Sequence, residues 1–592
     1  MIETDQAKSR RSFFSLIPII DWFPRYDRTW LRADLVAGLA VWAMTVPQAL
    51  GYAGIAGVPP VYGLYAVPLA MVAYAIFGTS RTLCVGPESA IAIISAATVG
   101  GLTSGSAADY LALTSLLTLI VGVLYLVFGL LRLGWAANFL AQPVMKGLTV
   151  GVALTVIVGQ FSAIFGTQSA VSLIAGELRN IPQVLGLELA HNGFVLQTWS
   201  VLATLGNAHI PTTVVGLSCL VLLFAFRHFR PFAPSALIAV VLAVGAVVLF
   251  DLEGRGVKVM GVVEKGMVPL SLPPMDLKRA IGLLPGAFAI VLLGYSVSLS
   301  VANLGAQKTG EEIDSNQELV ALGMANLGAA FSSGFVACGS LSRGSVIMRA
   351  GGRTQVVSLI NAALVILTLL FALPLFYKLP NATLNAVVIT AMYGLLDLGY
   401  FRRLFHIDRG EFAYGMAALL GVLLLGILQG VVVGVILALA VLIHRVSHPV
   451  TATLGRLPGT ENYRDITLHP DAETVPGMLI FRFDAPVIFI NASYFAEEVR
   501  RFMGQREETI REVLVLAQQI SELDSTGADQ LARLQAELAT MGITLAFAEV
   551  KDPLREAFRR TGLEEKIGTD RFYESTEEGV QAFLRRQEHN TS

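Results

Sequence analysis

Two long stretches of the chain, residues 36–80 and 147–176, contain no Asp, Glu, Lys or Arg. A soluble core that buried so much apolar surface would leave too little polar surface to cover it, whereas the interior of a bilayer solvates apolar side chains directly. The whole chain follows the same trend, because only 15% of its residues are charged, against about 25% in an ordinary soluble domain. The sequence therefore predicts an integral membrane protein that crosses the bilayer many times.

Apolar runs long enough for spanning helices recur along the chain. A regular spanning helix needs about 20 residues, and a helix that is broken midway needs fewer. The fourteen runs are 35–52, 62–78, 88–100, 109–131, 138–163, 211–227, 234–250, 285–304, 314–332, 341–350, 354–376, 383–397, 409–425 and 428–446. They predict a transmembrane domain over residues 31–447, preceded by a cytoplasmic segment over residues 1–30 that carries no cleavable signal peptide.

The orientation follows from the basic residues in the short loops, which prefer the cytoplasmic side. With a cytoplasmic N-terminus, the predicted inner loops carry Arg32, Arg81, Arg132, Arg227, His228, Arg230, Lys308, Arg349, Arg353, Arg402, Arg403 and Arg445. An even number of spans then returns the chain to the cytoplasm at residue 447. We expect both termini on the inside of a bacterial inner membrane.

Two runs, 88–100 and 341–350, are too short to cross the bilayer as regular helices. Each follows a stretch rich in helix breakers, Cys84-Val85-Gly86-Pro87 and Ala337-Cys338-Gly339-Ser340. They are the third runs of the first and second sets of seven, which is typical of two inverted repeats of seven helices with half-helices at the substrate site. The alternative is that both are ordinary kinked helices.

The composition changes at about residue 448, where charged residues return. Strand-like runs at 478–483, 487–490, 512–517 and 543–549 alternate with helical patterns at 493–504, 527–541 and 552–561. This alternation predicts an α/β domain over residues 448–585. We expect residues 586–592 to form a disordered tail.

The half-helices are candidates for an anion site, because the unpaired N–H groups at a helix N-terminus carry partial positive charge. Residues 86–90, including Glu88 and Ser89, and residues 340–344 lie at the two N-termini. Arg343 would add a full positive charge, and an ionisable residue in a membrane span is a functional candidate. The alternative is that Arg343 pairs structurally with a carboxylate or with carbonyl groups. Ser340, Ser342 and Ser345 either donate to the anion or cap the helix.

The first span contains Pro47, which interrupts the helical hydrogen bonds and exposes backbone polar groups to a cavity. Gln48 and Tyr52 are four residues apart and therefore share one face of this helix. An amide beside an aromatic wall suits a small, partly dehydrated anion. The alternative is that both side chains only pack against another helix.

Six segments together resemble one known family. They are Val46-Pro47-Gln48, Pro59-Pro60-Val61-Tyr62-Gly63-Leu64-Tyr65, Gly86-Pro87, Asp314-Ser315-Asn316-Gln317-Glu318-Leu319, Gly339-Ser340-Leu341-Ser342-Arg343 and Leu523-Asp524-Ser525-Thr526-Gly527-Ala528. On these residues the chain resembles, from end to end, the sulfate permease (SulP) family of anion transporters, related to prestin and pendrin, with a C-terminal STAS domain.

The resemblance implies a core domain of helices 1–4 and 8–11 that moves against a gate domain of helices 5–7 and 12–14. It also implies a cytoplasmic STAS domain, a homodimer, and a substrate held between helices 1, 3, 8 and 10. The anion-site residues that the resemblance carries onto this chain are Gln48, Tyr52, Leu341, Ser342 and Arg343.

Two positions depart from the family pattern. Val297 stands in helix 8, where proton-coupled members typically have Glu, and Glu88 follows Gly86-Pro87, where the family often has an uncharged residue. We hypothesise that Glu88 replaces the missing carboxylate and takes up a proton when the anion binds. The alternative is that Glu88 caps the third helix and that the protein is an exchanger or a uniporter.

In the STAS-like region, Ser525 and Thr526 are candidate regulatory phosphorylation sites, because a phosphate would add nearly two negative charges. The alternative is that both residues only cap the following helix.

We expect secondary active transport of a small inorganic anion (sulfate, bicarbonate or chloride) by elevator-like alternating access, without enzymatic chemistry, cofactor or nucleic-acid partner. The scattered Cys84, Cys219 and Cys338 also argue against a metal site. A dicarboxylate transporter and an anion-responsive membrane sensor acting through the STAS domain remain alternatives. A nucleobase permease is disfavoured, because a neutral base gains little from Arg343. The sequence leaves the anion open.

Overall fold

The computed structural model describes residues 17–103, 105–135, 142–167, 194–230, 234–261 and 270–591. Residues 1–16 of the predicted N-terminal segment and residues 138–141 of the fifth predicted span lie outside the described residues. The chain divides into two compact units, Met1–Ala438 and Leu439–Ser592.

A helix coincides with each of the fourteen predicted spans. In chain order they are α1 (Leu31–Ile55), α2 (Pro60–Phe77), α3 (Ser89–Gly100), α4 (Ala107–Leu130), α5 (Gln142–Ile164), α6 (Ile210–Phe229), α7 (Ser235–Phe250), α8 (Leu277–Thr309), α9 (Ser315–Phe331), α10 (Leu341–Ala350), α11 (Val356–Leu367), α12 (Asn381–Tyr393), α13 (Arg409–Leu425) and α14 (Ile427–Ser447). Among the described residues, eight helical stretches are long and apolar enough to cross a membrane by themselves. The prediction of a helical membrane domain is confirmed.

Shorter helices accompany the spanning set. Two of them, Ile19–Trp22 and Phe194–Thr204, were not predicted. A third, Leu398–Ile407, joins α12 to α13 and is named below as the connecting helix. Its mixed sequence of arginines and aromatic residues contains no long apolar run, so the sequence pattern does not predict it as a span.

The half-helices α3 and α10 are the central feature of the membrane unit. They contain 12 and 10 residues, which is about 18 and 15 Å of helix and well short of the bilayer core. The segments before them form two short strands, β1 (Val85–Pro87) and β2 (Ala337–Gly339). These strands pair antiparallel, with Gly86 opposite Cys338, and so join the two halves of the repeat. The prediction of half-helices holds, but their strand pairing was not predicted.

Two buried carboxylates stabilise the loops around this centre. Glu318 of α9 accepts hydrogen bonds from the Tyr74 hydroxyl at 2.7 Å and from the backbone and side chain of Thr79 at 2.8 and 2.6 Å. Asp34 of α1 accepts from the Arg353 backbone N–H at 2.7 Å and from the Thr354 hydroxyl at 2.6 Å. Because a buried charge is tolerated only when it is fully hydrogen-bonded, these contacts tie α1, α2 and α9 to the half-helix loops.

The C-terminal unit is an α/β fold around a six-stranded sheet. Its strands are β3 (Thr451–Arg456), β4 (Tyr463–Asp465), β5 (Met478–Phe483), β6 (Glu512–Leu516), β7 (Thr544–Ala548) and β8 (Phe572–Tyr573), in the order β4-β3-β5-β6-β7-β8. Strands β5 to β8 are parallel, whereas β3 runs antiparallel to both of its neighbours. The helices are α15 (Ala492–Gly504), α16 (Ser525–Thr540), α17 (Asp552–Arg560), α18 (Leu563–Ile567) and α19 (Thr576–Thr591).

Both faces of this sheet are covered, as alternating strands and helices predict. Phe481 and Phe483 of β5 pack with Phe495 of α15 on one face. On the other face, Ile480 of β5 lies in a cluster with Phe583 of α19.

Two predictions for this unit are wrong. Residues 487–490 are not a strand, because only Val487 forms a bridge, to Leu523, and the Phe489 N–H is taken by the Asp524 carboxylate at 2.8 Å. Residues 586–591 do not form a disordered tail, since α19 continues to Thr591; residue 592 lies outside the described residues. The Arg586 guanidinium holds the helix in place by donating to Glu512 at 2.7 Å.

Candidate functional site

The small β1–β2 sheet brings the N-termini of α3 and α10 close together. Pro87 lies opposite Ala337 and Val85 opposite Gly339, so each half-helix leaves from a different end of the sheet. The Ser340 N–H continues the pairing by donating to the Cys84 carbonyl at 3.2 Å. Because the first N–H groups of a helix have no partner within it, two positive helix ends meet inside the membrane unit.

Arg343 crosses between the two half-helices. It belongs to the first turn of α10 and is 1% exposed. Its Nη2 donates to the Pro87 carbonyl at 2.8 Å, at the end of β1. Its Nε and Nη1 atoms are buried without a hydrogen-bond partner in the protein. The guanidinium is therefore fixed at one corner and keeps its other donors available for a ligand.

Gly86 makes room for this guanidinium. A Cβ atom at position 86 would lie 2.7 Å from Nη1 of Arg343 and 3.4 Å from its Cζ. Any side chain larger than hydrogen at this position would push the guanidinium away from β1. The glycine thus determines where the positive charge sits.

Glu88 caps the N-terminus of α3. Its carboxylate accepts from the Ala90 N–H at 2.8 Å and from the Ser89 hydroxyl at 2.8 Å, and the side chain is half-buried. The geometry favours the capping alternative for its resting position. The Arg343 guanidinium bonds to the neighbouring Pro87 carbonyl rather than to this carboxylate.

Gln48 and Tyr52 are the two predicted site residues on α1. Both side chains are buried, and Gln48 Oε1 has no hydrogen-bond partner. Tyr52 lies beside Ser89, and the charges of Glu88 and Arg343 both act on its hydroxyl. Tyr52 of α1, Glu88 and Ser89 of α3 and Arg343 of α10 therefore lie close together.

The remaining predicted residues of α10 are less enclosed. Leu341 is 45% exposed and Ser342 is also exposed. The Ser342 hydroxyl lies 3.1 Å from that of Ser340, which is buried at the N-cap position but forms no side-chain cap. Ser345 is partly buried one turn further along. Leu341 and Ser342 thus face the open side of the half-helix terminus.

Residues that sequence reasoning missed hold β2 in position. The Asn326 side chain donates to the Ala337 carbonyl at 2.8 Å and accepts from its N–H at 3.0 Å, and the Ser298 hydroxyl accepts from the Gly339 N–H at 2.8 Å. Gln355 similarly donates to the Ser80 and Leu83 carbonyls before β1. The sequence does carry a signal for these residues, because Asn326, Ser298 and Gln355 are polar side chains within long apolar runs.

Val297 is partly buried and packs against the large apolar cluster of the membrane unit. It supplies no ionisable group to the site from α8. Among the described residues, no group of three or more His, Cys, Asp or Glu side chains is placed to hold a metal ion.

The regulatory candidates Ser525 and Thr526 lie in the C-terminal unit, exposed in the first turn of α16. The helix is capped by Asp524 instead, whose carboxylate accepts from the Gly527 N–H at 2.7 Å. The alternative, that the two hydroxyl residues cap this helix, is therefore wrong.

Comparisons with known proteins agree with this architecture. Residues 31–418 match the sulfate permease family and residues 469–579 match the STAS domain. The probable sulfate transporter MT1781 of Mycobacterium tuberculosis is 35% identical over 96% of this chain and 98% of its own length. The chloroplastic sulfate transporter 4.1 of Arabidopsis thaliana is 31% identical over 96% of this chain and 83% of its own.

Two solved structures share the fold at low identity. The murine Solute Carrier 26 family member A9 anion transporter, in its inward-facing state, superposes with a TM-score of 0.84 at 22% identity, covering 98% of this chain and 97% of that one. The transmembrane domain of the cyanobacterium bicarbonate transporter BicA gives 0.58 at 22% identity, covering 70% and 98%. With the family match and the end-to-end similarity to MT1781, this chain belongs to the sulfate permease family, whose members are transporters and not enzymes.

Proposed function

We propose that this protein is a secondary transporter of a small inorganic anion, with sulfate favoured over bicarbonate and chloride, and that the anion binds where α1, α3 and α10 meet. One observation carries the proposal: Arg343 is buried with two donor atoms, Nε and Nη1, left without a partner. A buried cation whose donors are unpaired is costly unless a ligand supplies the missing negative charge. Sulfate oxygens can accept charge-assisted hydrogen bonds from such donors. The names of the relatives also favour sulfate.

The anion would move by an elevator-like mechanism. Gln48, Tyr52, Glu88, Ser89 and Arg343 all belong to one bundle, α1–α4 with α8–α11. Strand pairing and the buried carboxylates bind this bundle together internally. It can therefore travel as one body against α5–α7 and α12–α14 and carry the site from one side of the membrane to the other. Leu341 and Ser342 would contact the anion from the open side.

The same proposal includes a homodimer in the bacterial inner membrane, with both termini in the cytoplasm. The loop arginines support this orientation through the preference of basic residues for the inner side. Ser525 and Thr526 are exposed on the C-terminal unit and remain candidates for regulatory phosphorylation there.

Glu88 would couple anion binding to a proton. Its carboxylate lies at the positive end of α3, near Arg343, where an anion would also bind. An anion arriving there repels the carboxylate, and protonation of Glu88 removes this repulsion. An inward proton gradient would then drive anion uptake, and no carboxylate would be needed at Val297.

Uptake of labelled sulfate and bicarbonate into proteoliposomes tests the anion site. Removing the Arg343 guanidinium deletes charge-assisted hydrogen bonds worth about 1.5–3 kcal/mol each. We therefore expect Arg343→Ala to lower kcat/KM at least about 100-fold. Arg349→Ala, which removes an exposed arginine of the same helix, should transport normally. Normal uptake by Arg343→Ala would refute the site. No flux from the wild type under any gradient would favour the anion-responsive sensor.

A second pair of measurements tests the coupling. Wild-type uptake should be stimulated by an inward proton gradient, and Glu88→Gln should lose this stimulation while still binding sulfate. An unchanged response to the gradient in Glu88→Gln would leave an exchanger or a uniporter as the better description.

A further inference from the structure

Basic side chains from four elements gather around one end of α12. They come from α5, α6, the connecting helix and α13, and we refer to them as the basic belt: Lys146, Arg227, Arg402, Arg403 and Arg409. None of them takes part in the proposed anion site.

Contacts along α12 place the belt at a membrane surface. Arg227, at the end of α6, donates to the Thr390 carbonyl at 3.3 Å near the end of α12. At the start of α12, the Asn381 N–H bonds to the Lys258 carbonyl at 3.0 Å. Nine residues of helix separate these two points, which is about 14 Å along α12. The connecting helix joins the ends of two membrane helices, so it lies on the surface where both end.

The connecting helix has the pattern of an interfacial helix. Phe401 and Leu404 are buried, and Phe401 packs with Val150 of α5 and Leu419 of α13. Leu398 and Ile407, by contrast, are 69% and 71% exposed. One face is thus docked on the protein while further apolar residues stay uncovered beside the arginines. This combination of exposed apolar and basic side chains is typical of helices that lie in the headgroup region.

The five basic residues of the belt outnumber the three carboxylates beside them, Asp397, Asp408 and Glu411. Lys146 pairs with Asp397 at 3.0 Å. The Arg403 and Arg409 guanidiniums lie over the rings of Tyr400 and Phe405, both at 5.8 Å. Arg402 is exposed, and its side chain has no carboxylate partner among the described residues. A membrane protein meets one abundant anionic surface at this depth, the phosphates of acidic phospholipids.

We infer that the basic belt binds the headgroups of anionic phospholipids, such as phosphatidylglycerol, with Arg402 and Arg403 as the principal contacts. The exposed Leu398 and Phe405 side chains would lie against the acyl chains of the same lipids. Since the connecting helix packs on α5 and α13, a bound lipid would hold the helices that the core bundle moves against.

Lipid binding to the purified full-length protein tests this inference without relying on transport. Short-chain phosphatidylglycerol and phosphatidylcholine are titrated into protein in an uncharged detergent, and the concentration-dependent rise in Tm gives the apparent Kd. Each basic residue near an anionic lipid surface contributes about 1 kcal/mol, which is about fivefold in Kd. The double variant R402Q/R403Q should therefore bind phosphatidylglycerol about 25-fold more weakly.

Two control variants separate charge from folding. R402K/R403K keeps both charges and should retain most of the affinity. R255Q/K258Q removes two exposed cations near the opposite end of α12 and should bind as the wild type does. Equal affinity for phosphatidylcholine, or unchanged affinity in R402Q/R403Q, would overturn the inference. So would inorganic phosphate giving the same rise in Tm, because that would indicate a site for a free anion.

Discussion

Substitution of Gly86 tests directly whether the position of the Arg343 guanidinium determines anion binding. In Gly86→Ala, the new methyl group would lie 2.7 Å from Nη1 of Arg343 and 3.5 Å from Nη2. Gly86 lies in the extended strand β1, a conformation that alanine also adopts, so the backbone is not strained. The guanidinium must therefore move, and the 2.8 Å bond from Nη2 to the Pro87 carbonyl is lost or lengthened.

The size of the effect follows from that bond. A hydrogen bond from a charged donor contributes about 1.5–3 kcal/mol, which corresponds to about 10- to 150-fold in affinity. We expect KM for the transported anion to rise by at least tenfold in Gly86→Ala, measured as labelled uptake into proteoliposomes. Gly100→Ala, at the other end of α3, is the matched control, because a Cβ atom there meets no atom within 4 Å.

A double-mutant cycle distinguishes this mechanism from a general loss of stability. If Gly86 acts only through the guanidinium, adding Gly86→Ala to Arg343→Ala should change anion binding no further. An unchanged KM in Gly86→Ala, or full additivity of the two substitutions, would refute the reasoning. The Tm of each variant should be recorded to show that the fold is retained.

Two further predictions concern stability. Glu318→Gln should lower the free energy of unfolding by about 2–3 kcal/mol, since a neutral amide oxygen replaces the charged acceptor of the Thr79 donors and the amide nitrogen cannot accept from Tyr74; Glu312→Gln, at an exposed site, should leave Tm unchanged. In the C-terminal unit, burial raises the pKa of the Glu512 carboxyl above its ordinary 4.5, although Arg586 donates to it. The folded state therefore holds this proton more tightly than the unfolded state does. The stability that this proton contributes is fully present below pH 4.5 and is lost as the pH rises through the raised pKa. Thermal unfolding of the full-length protein between about pH 4 and 7 should show a flatter pH dependence in Glu512→Gln, and an unchanged slope would contradict this assignment.

Helices of the membrane unit were predictable from the sequence because apolar length alone selects them. The half-helices were also predictable, since short runs after Gly86-Pro87 and Gly339-Ser340 combine breakers with insufficient length. The strands before them were not, because three residues are too few to show any periodicity. The bond from Arg343 to Pro87 joins residues 256 positions apart, and no local pattern carries such information.

The errors in the C-terminal unit have equally local causes. The apolar run at 487–490 has the composition of a strand, but the Phe489 N–H bonds to Asp524 rather than to a neighbouring strand. Residues 586–592 were expected to be disordered because they are polar. Composition alone does not indicate the contact of Arg586 with Glu512. In both places a single tertiary contact overrides the local sequence preference.

The pairing of β1 with β2 also bears on how the chain is made. The backbone groups of β1 bond to a strand that the ribosome produces hundreds of residues later. At ordinary synthesis rates of about 5–20 residues per second, β1 waits on the order of ten seconds to a minute for its partner. Unpaired backbone groups are not tolerated in hydrocarbon, so the first four helices must keep this segment hydrated or shielded until α8–α10 arrive. Assembly of the transporter is therefore completed after insertion, by the late closing of this small sheet.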